Sequence, residues 1–392
     1  MTSVHAFKVV GFATLMLTAV GRGQPTLRHE NSSGGRLHAI TVHGAQLTAV
    51  GSNGRVLSST DRVTWTARPT GVVETLTSVA SNGSTLVVTT ERGRIFHSAD
   101  GGNWSEVFAG SHALRQIVFL GDIFIAVGDG GTVLRSTDGR TWAPDVSSTQ
   151  QHLHAVTAAS AGSDSVFAIG TAGTWIERSN GEWRARLSGV TSAFTAAVPN
   201  YAASWRSSGG VSNGDQLAVL AIGEDARDLL RTRPGGIAYD WTTEPADRAS
   251  PRPMLVLLAN QSVTVATPTP SHPNSWISFP RELLAVDDSG AVYLGSGRVD
   301  SAGATARLRR VWEPLFTLAR VARGGVWDPA RNAWFLVGDY DTIYEVSSAR
   351  FIPPPTIPAI IGHPADQTAV EGAVVTFSVS ATSAGPHIRM VP

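Results

Sequence analysis

Four residues at one recurring position of the sequence have side chains suited to binding a polar ligand. His38, Arg115 and His154 each follow the leucine that opens a short apolar run, and Thr77 takes the same place in a fourth run. Guanidinium groups donate several hydrogen bonds, whereas imidazole and hydroxyl groups can donate or accept them. If the four runs converge around one axis, these residues predict a binding site at one end of it.

Glycine-rich segments downstream of these runs would add Asn53, Arg92 and Asp129 to the same site. His152 and His154 are spaced as two metal ligands on one strand can be, but no third ligand is visible. We therefore predict neither a metal nor another cofactor.

The sequence offers less for catalysis. A glycoside hydrolase needs two carboxylates at a defined separation, and the positions of acids such as Asp129 and Asp164 do not fix one. The segment Gly128-Asp-Gly-Gly131 leads into a strand, so it lacks the helix N-terminus of a phosphate-binding loop. Cysteine is absent, which excludes thiol nucleophiles and zinc–thiolate sites. These patterns favour binding over catalysis and leave the question of an enzyme open.

The segments that must position these residues are internal repeats. Successive tryptophans end the repeats at intervals of 39, 38 and 41 residues. A period of about 40 residues containing four short strand-like runs is typical of one propeller blade. The four repeats are Leu37–Trp65, Leu76–Trp104, Leu114–Trp142 and Leu153–Trp183.

A Ser-x-Asp turn before each tryptophan is the most specific motif. Serine and aspartate side chains can accept hydrogen bonds from turn amides, and the tryptophan would fill the space between neighbouring sheets. We therefore interpret these residues as structural. The copies comprise Ser59, Asp61 and Trp65; Ser98, Asp100 and Trp104; Ser136, Asp138 and Trp142; and a shorter form ending in Trp183.

The motif resembles the Asp-box of bacterial neuraminidase-repeat propellers. Its surrounding frame is similar to the photosystem II stability/assembly factor-like branch of that superfamily, over residues 36–186. The resemblance implies an all-β propeller with blades of four antiparallel strands. Weaker repeats up to residue 351 predict seven blades, with six or eight as alternatives. Arg94-Ile95 is followed by Phe96 rather than proline, which is unlike the sialidases of the superfamily.

Four regions follow from these patterns. Residues 1–23 predict a signal peptide, because Lys8 precedes an apolar stretch too short to span a bilayer. Residues 36–351 predict the propeller, residues 352–358 a proline-rich linker, and residues 359–392 the first part of an immunoglobulin-like module, which we expect to be truncated. The protein would then be secreted, periplasmic or on the cell surface, with no membrane span after signal cleavage.

Net charge is zero, since 31 basic and 31 acidic residues balance, and this argues against a nucleic-acid partner. We therefore predict an exported, non-catalytic propeller that acts as a scaffold or recognition module for a protein or glycan partner in the cell envelope. The alternative is an exported carbohydrate-active enzyme, a glycoside hydrolase or sialidase-like protein, that uses carboxylates at the mouth of the central channel. The photosynthetic role of the similar branch is not implied.

Overall fold

A computed structural model describes the backbone of residues 24–158, 166–186, 188–189, 191–207, 210–223, 228–232, 241–244, 252–269, 272–300, 307–348, 360–362 and 380–381. Side chains are described for residues 24–158, 166–186, 188–189, 191–198, 252–260, 282–295 and 312–348. One compact unit spans Gln24–Ser347. The predicted signal peptide and proline-rich linker lie outside the described residues, and the predicted immunoglobulin-like segment is described only at two short strands.

The compact unit is built from antiparallel sheets, and the first strand along the chain, β1 (Thr26–His29), joins the last of them. Four sheets of four strands come next, each in simple chain order. Sheet 1 contains β2 (Leu37–His43), β3 (Gln46–Gly51), β4 (Val56–Ser59) and β5 (Thr66–Ala67). Sheet 2 contains β6 (Leu76–Ser81), β7 (Leu86–Thr90), β8 (Arg94–Ser98) and β9 (Ser105–Ala109). Sheet 3 contains β10 (Leu114–Leu120), β11 (Ile123–Gly128), β12 (Val133–Ser136) and β13 (Ala143–Pro144). Sheet 4 contains β14 (Leu153–Ala158), β15 (Val166–Gly170), β16 (Trp175–Ser179) and β17 (Glu182–Arg186).

The remaining strands form one large sheet and one that completes the unit. The large sheet has eight strands: β18 (Phe194–Ser207), β19 (Gly210–Gly223), β20 (Asp228–Thr232), β21 (Trp241–Glu244), β22 (Met254–Thr269), β23 (His272–Asp287), β24 (Ala291–Asp300) and β25 (Arg307–Thr317). The closing sheet contains β26 (Ala322–Asp328), β27 (Ala333–Gly338), β28 (Ile343–Ser347) and, at its outer edge, β1. Outside the unit, β29 (Ile360–Gly362) pairs with β30 (Ser380–Ala381).

The prediction of seven blades is therefore wrong, and the alternative of six agrees with the six sheets that the described part of Gln24–Ser347 forms. The cause lies in β18, which pairs with β19 on one side and with β23 on the other. This pairing joins the four strands β18–β21 to the four strands β22–β25 in one sheet. The first strands of successive sets, from β2 to β26, contact one another in order, and β26 contacts β2 to close the ring.

The core lies between neighbouring sheets. The second strand of sheets 2 and 4 and that of the closing sheet are buried at every residue, because sheets cover both of their faces. Aromatic residues fill the interfaces: Trp65 lies 6.5 Å from Phe335 of the closing sheet, measured between ring centroids, and Trp142 packs against a buried cluster that includes Val87 and Ile95 of sheet 2. Each sheet is thus held mainly by apolar burial against the next.

Tight turns join the strands at the two opposite ends of each sheet. At one end, Asp138 Oδ1 accepts hydrogen bonds from the backbone amides of Arg140 and Thr141 at 2.8 and 2.7 Å. These bonds to the charged form lower the pKa of Asp138 to about 2. Asp61 and Asp100 make the same contacts, and the pKa of each is also lowered by backbone amides.

At the other end, glycine-rich turns join the second and third strands. Gly54 has a φ of +63°, and a Cβ atom there would overlap the carbonyl oxygen of Val72. Only glycine fits such a position without strain. Asp341 takes this place in the closing sheet, with a φ of +53°. Among the described residues, no helix is long and apolar enough to span a membrane.

Candidate functional site: the bulge ring

A β-bulge interrupts the beginning of each first strand at the same point. The pairing register shifts across Leu37/Ala39 in β2, and equivalent shifts occur in β6, β10, β14, β18, β22 and β26. A bulge leaves one residue out of the ladder and redirects its side chain. The residues so displaced form what we call the bulge ring: His38, Thr77, Arg115, His154, Thr195, Leu255 and Arg323.

The sequence analysis proposed the first four of these residues as equivalent positions, and each lies at a bulge in the structure. It did not identify Arg323. In those four runs a leucine precedes the equivalent residue, but here the run begins Ala322-Arg323-Gly324-Gly325. The leucine pattern therefore could not identify Arg323. The downstream segment Val337-Gly338-Asp339 does match the frame of the other repeats and could have located it.

Three members of the ring bind the next first strand. Thr77 Oγ1 donates to the carbonyl oxygen of Leu114 at 2.7 Å, and Thr195 Oγ1 donates to that of Met254 at 2.8 Å. His154 Nδ1 lies 2.8 Å from the carbonyl oxygen of Phe194 and must therefore carry the proton. These side chains connect neighbouring sheets, so Thr77 and His154 are engaged within the protein.

Arg115 instead turns back to an acid of its own sheet. Its Nε and Nη2 atoms donate to the two carboxylate oxygens of Asp129, both at 2.8 Å. This bidentate contact lowers the pKa of Asp129 and raises that of Arg115. His152 Nδ1 lies 3.2 Å from Asp129 Oδ1. The Arg115 side chain is 49% exposed, so the guanidinium is held in place yet accessible.

The closing sheet repeats this arrangement. Arg323 Nε and Nη2 bind the two carboxylate oxygens of Asp339 at 3.3 and 3.2 Å. Arg36 Nε lies 3.2 Å from the same carboxylate. Close by, His38 Nε2 lies 3.3 Å from Ser52 Oγ. Burial lowers the pKa of His38, and the charges of Arg36 and Arg323 lower it further.

The other predicted site residues with described side chains make no hydrogen bond or ion pair with the Arg115 and Arg323 clusters. Asn53 and Arg92 are exposed in the glycine-rich turns of sheets 1 and 2. No hydrogen bond or ion pair between residues with described side chains joins the Arg115 and Arg323 clusters. Asp164 lies outside the described residues. The structure thus brings together Arg115 with Asp129, and His38 with Arg323, rather than all seven predicted residues.

The two ring carboxylates are poorly placed for acid–base catalysis. Asp129 is bound bidentately and has a lowered pKa, whereas a general acid needs a raised one. Asp339 is shared between two guanidinium groups. Within the described ranges, no group of three or more histidine or acidic residues could hold a metal ion. The geometry suits the binding of polar groups by fixed arginines.

With this geometry in view, comparison with known proteins defines the class. No protein-family model and no curated protein matches the sequence. Solved structures do match, and they show that the chain is a β-propeller with four-stranded antiparallel units.

Two of these structures are of YCF48. One, solved with a D1 peptide, is 13% identical with a TM-score of 0.57, over 85% of this chain and 98% of that one. The other, from Cyanidioschyzon merolae, is 14% identical with a TM-score of 0.56, over 82% and 98%. The WD40 propeller domain of Doa1 is 9% identical with a TM-score of 0.53, over 84% and 98%. At these identities the likeness establishes the fold alone.

Proposed function

We propose that this chain is a non-catalytic recognition module that binds a segment of a partner protein at the bulge ring. The observation that carries the proposal is the matched pair of Arg115 and Arg323. Both guanidinium groups are partly exposed, both lie at bulges at the same end of the first strands, and each is fixed by a carboxylate of its own sheet. Fixed donors lose little conformational freedom when a ligand binds.

The chemistry of these arginines suits a polypeptide. Nη1 of Arg115 and of Arg323 makes no hydrogen bond within the described part of the chain, so each can donate to a carbonyl or carboxylate group. Arginine is also enriched among the residues that dominate protein interfaces. The structurally similar YCF48 has been solved with a peptide, which supports a protein partner at the bulge ring.

The Asp-box and assembly-factor resemblance remains part of the proposal. It rests on the Ser-x-Asp turns, in which the serine side chain donates a hydrogen bond to the aspartate, for example Ser98 Oγ to Asp100 Oδ1 at 3.1 Å. Export to the cell envelope is also proposed, and it rests on the sequence of residues 1–23 and on the immunoglobulin-like pattern of residues 359–392. Cell fractionation of the full chain would test export separately from binding.

Site-directed photocrosslinking tests the binding surface. A photoreactive residue would be placed at Asn53 or Arg92, exposed in glycine-rich turns at the same end of the sheets as the bulge ring, and at Thr60 or Arg140, exposed at the opposite end. We expect a discrete protein adduct from the first pair only, and we expect Arg115→Ala with Arg323→Ala to abolish it. Adducts of equal yield from both ends, or an adduct that survives the double substitution, would contradict the proposal.

The alternative of a carbohydrate-active enzyme is not favoured by any contact in the described residues. Hydrolysis of chromogenic glycosides by the full chain, abolished by Asp129→Asn, would reverse this conclusion.

A further inference from the structure

The turn between β27 and β28 holds an exposed aromatic residue in an unfavourable backbone conformation. Tyr340 has a φ of +61°, and 43% of its surface is exposed. The equivalent positions of other sheets hold Asn53, Gly130 and Ala172, and a bulky residue in the left-handed region is rare. Neither the core nor the turn explains a tyrosine here, and strain of this kind concentrates at binding sites.

The tyrosine ring is also fixed in position. The Arg320 guanidinium lies 4.5 Å from the ring centroid, and Arg320 Nε lies 3.2 Å from Glu30 Oε1. The backbone of the turn is bound on both sides, because Asn31 N donates to the Tyr340 carbonyl at 2.9 Å and Asp341 N donates to the Gly35 carbonyl at 3.0 Å. No second ring or cation packs on Tyr340 among the side chains that the structure describes. One aromatic surface is therefore available and preorganised.

Charged groups of both signs lie near Tyr340, because Arg320 packs on its ring and is itself paired with Glu30. Asp339, the preceding residue, offers a carboxylate that accepts hydrogen bonds, and its partners Arg36 and Arg323 offer donors. The Arg36 side chain is 62% exposed. A ligand beside Tyr340 would thus meet a donor and an acceptor within one small cluster.

We propose that Tyr340 and the Asp339 cluster form a binding site for a neutral sugar residue of a glycan. The C–H face of a pyranose ring packs on an aromatic ring, and its adjacent hydroxyl groups each donate and accept hydrogen bonds. A carboxylate bound between two arginines can satisfy such a pair of hydroxyls. This proposal does not depend on a protein partner at Arg115.

The charges favour a neutral sugar over an acidic one. Arg36, Arg320 and Arg323 are already paired with Glu30 and Asp339, so an anionic ligand would compete with these carboxylates for their arginines, whereas a neutral sugar would not. An aromatic side chain of a peptide is less suited to the Tyr340 ring than a sugar, because Arg320 on the ring and the adjacent Asp339 are charged and supply no apolar pocket around it.

Affinity electrophoresis of the full chain tests the site, with native gels that contain hydroxyethyl cellulose, laminarin, galactomannan or xylan, and a parallel gel with polygalacturonate. We expect at least one neutral polysaccharide to retard the protein. Tyr340→Asn should weaken that interaction at least about tenfold, whereas Tyr340→Phe should preserve it. Asparagine occupies the equivalent position 53, so Tyr340→Asn should fold, and its thermal midpoint should equal or exceed that of the parent.

Arg115→Ala removes the bulge-ring arginine that lies outside the Asp339 cluster, so it should leave polysaccharide binding unchanged. Absence of retardation by every neutral polysaccharide would overturn the proposal. The proposal would also be overturned if polygalacturonate alone retarded the protein, or if Tyr340→Asn were retarded as strongly as the parent. It would likewise fail if no polysaccharide bound and a protein partner required Tyr340.

Discussion

The closing interface, between the closing sheet and sheet 1, differs in chemistry from the interface between sheets 2 and 3. The closing interface contains buried ion pairs: Arg62 Nε lies 2.8 Å from Asp328 Oδ2, and Arg55 binds the fully buried Asp341. Between sheets 2 and 3, the polar contacts are neutral, such as Ile117 N to Ser78 Oγ at 3.2 Å. No ion pair between their described residues crosses that interface.

The difference follows from what each interface joins. Sheets 2 and 3 are consecutive, so a short loop already places them side by side. In the closing sheet, only β1 is joined to sheet 1 by a short loop. The strands β26–β28 come from the other end of the compact unit, so the two ion pairs join residues separated by 266 and 286 positions in the chain. Apolar contacts tolerate sliding, whereas a buried guanidinium and carboxylate must meet to avoid a large desolvation cost. We infer that the ion pairs specify how the ring closes.

The largest effect should come from breaking the pair of Arg62 and Asp328. Asp328 is fully buried, and its removal leaves an uncompensated charge on Arg62, whose side chain is 10% exposed. We expect Asp328→Ala to lower the free energy of unfolding by about 3–5 kcal/mol, measured by urea denaturation. Arg62→Met with Asp328→Leu, which removes both charges, should recover part of this loss. If Asp328→Ala lowered the free energy of unfolding by no more than the loss of an exposed ion pair does, the stability of the closing interface would not depend on its buried charges.

A smaller effect is expected at the neutral interface. Ser78→Ala removes the oxygen that accepts the Ile117 amide hydrogen and should cost about 1 kcal/mol in the same denaturation experiment. Ser105→Ala, at an exposed position of β9 in sheet 2, is a matched surface control. A loss as large as that of Asp328→Ala would erase the distinction between the two interfaces.

Acid should weaken the closing interface through two histidines. Burial lowers the pKa of both His29 and His38, whereas in the unfolded chain each should titrate near about 6.5. Because protonation then favours the unfolded chain, their contribution is intact above that pH and is lost as pH falls through it towards the folded values. We expect unfolding free energy to fall between pH 7 and pH 5.

The double variant His29→Gln, His38→Gln should show a shallower pH dependence than the parent. At the interface of sheets 2 and 3, burial and Arg140 lower the pKa of His97 as well, so His97→Gln should flatten the profile to a lesser extent. An equal or greater effect of His97→Gln would contradict the assignment of acid sensitivity to the closing interface.

The smallest effect is expected for an ion pair outside both interfaces. Arg184 and Glu182 are 64% and 70% exposed on sheet 4, where solvent screens their attraction. Glu182→Ala should change the unfolding free energy by less than about 0.5 kcal/mol. A larger loss would show that charge alone, rather than burial across the closing interface, determines these energies.

Much of the fold could be predicted because the repeats are local. The turns and tryptophans of sheets 1 to 4 recur at near-constant spacing, so Leu37, Leu76, Leu114 and Leu153 identified equivalent strands. β1 was not predicted, because its four residues belong to no repeat and pair with a strand more than 300 positions away. The eight-stranded sheet was missed for a similar reason, because the residue pattern of neither β18 nor β23 predicts that the two strands pair.

The candidate site was only partly predictable. Equivalent positions located His38 and Arg115, but the hydrogen bonds that occupy Thr77 and His154 depend on the neighbouring sheet. Arg323 and Tyr340 were missed because the closing sheet departs from the leucine and glycine pattern. Tertiary contacts, rather than residue type, decide which side chains remain available.

The pairing of β1 with β28 places the two ends of the compact unit on adjacent strands, with Thr26 opposite Glu345. Such a unit has no obligatory starting point. Its ends could be fused, and new ones opened at the exposed hairpin tip Gly121-Asp122, with the sheets left intact. Because its two ends lie on adjacent strands, the unit could also be inserted into a loop of a longer polypeptide, which would enter and leave it at the same sheet edge.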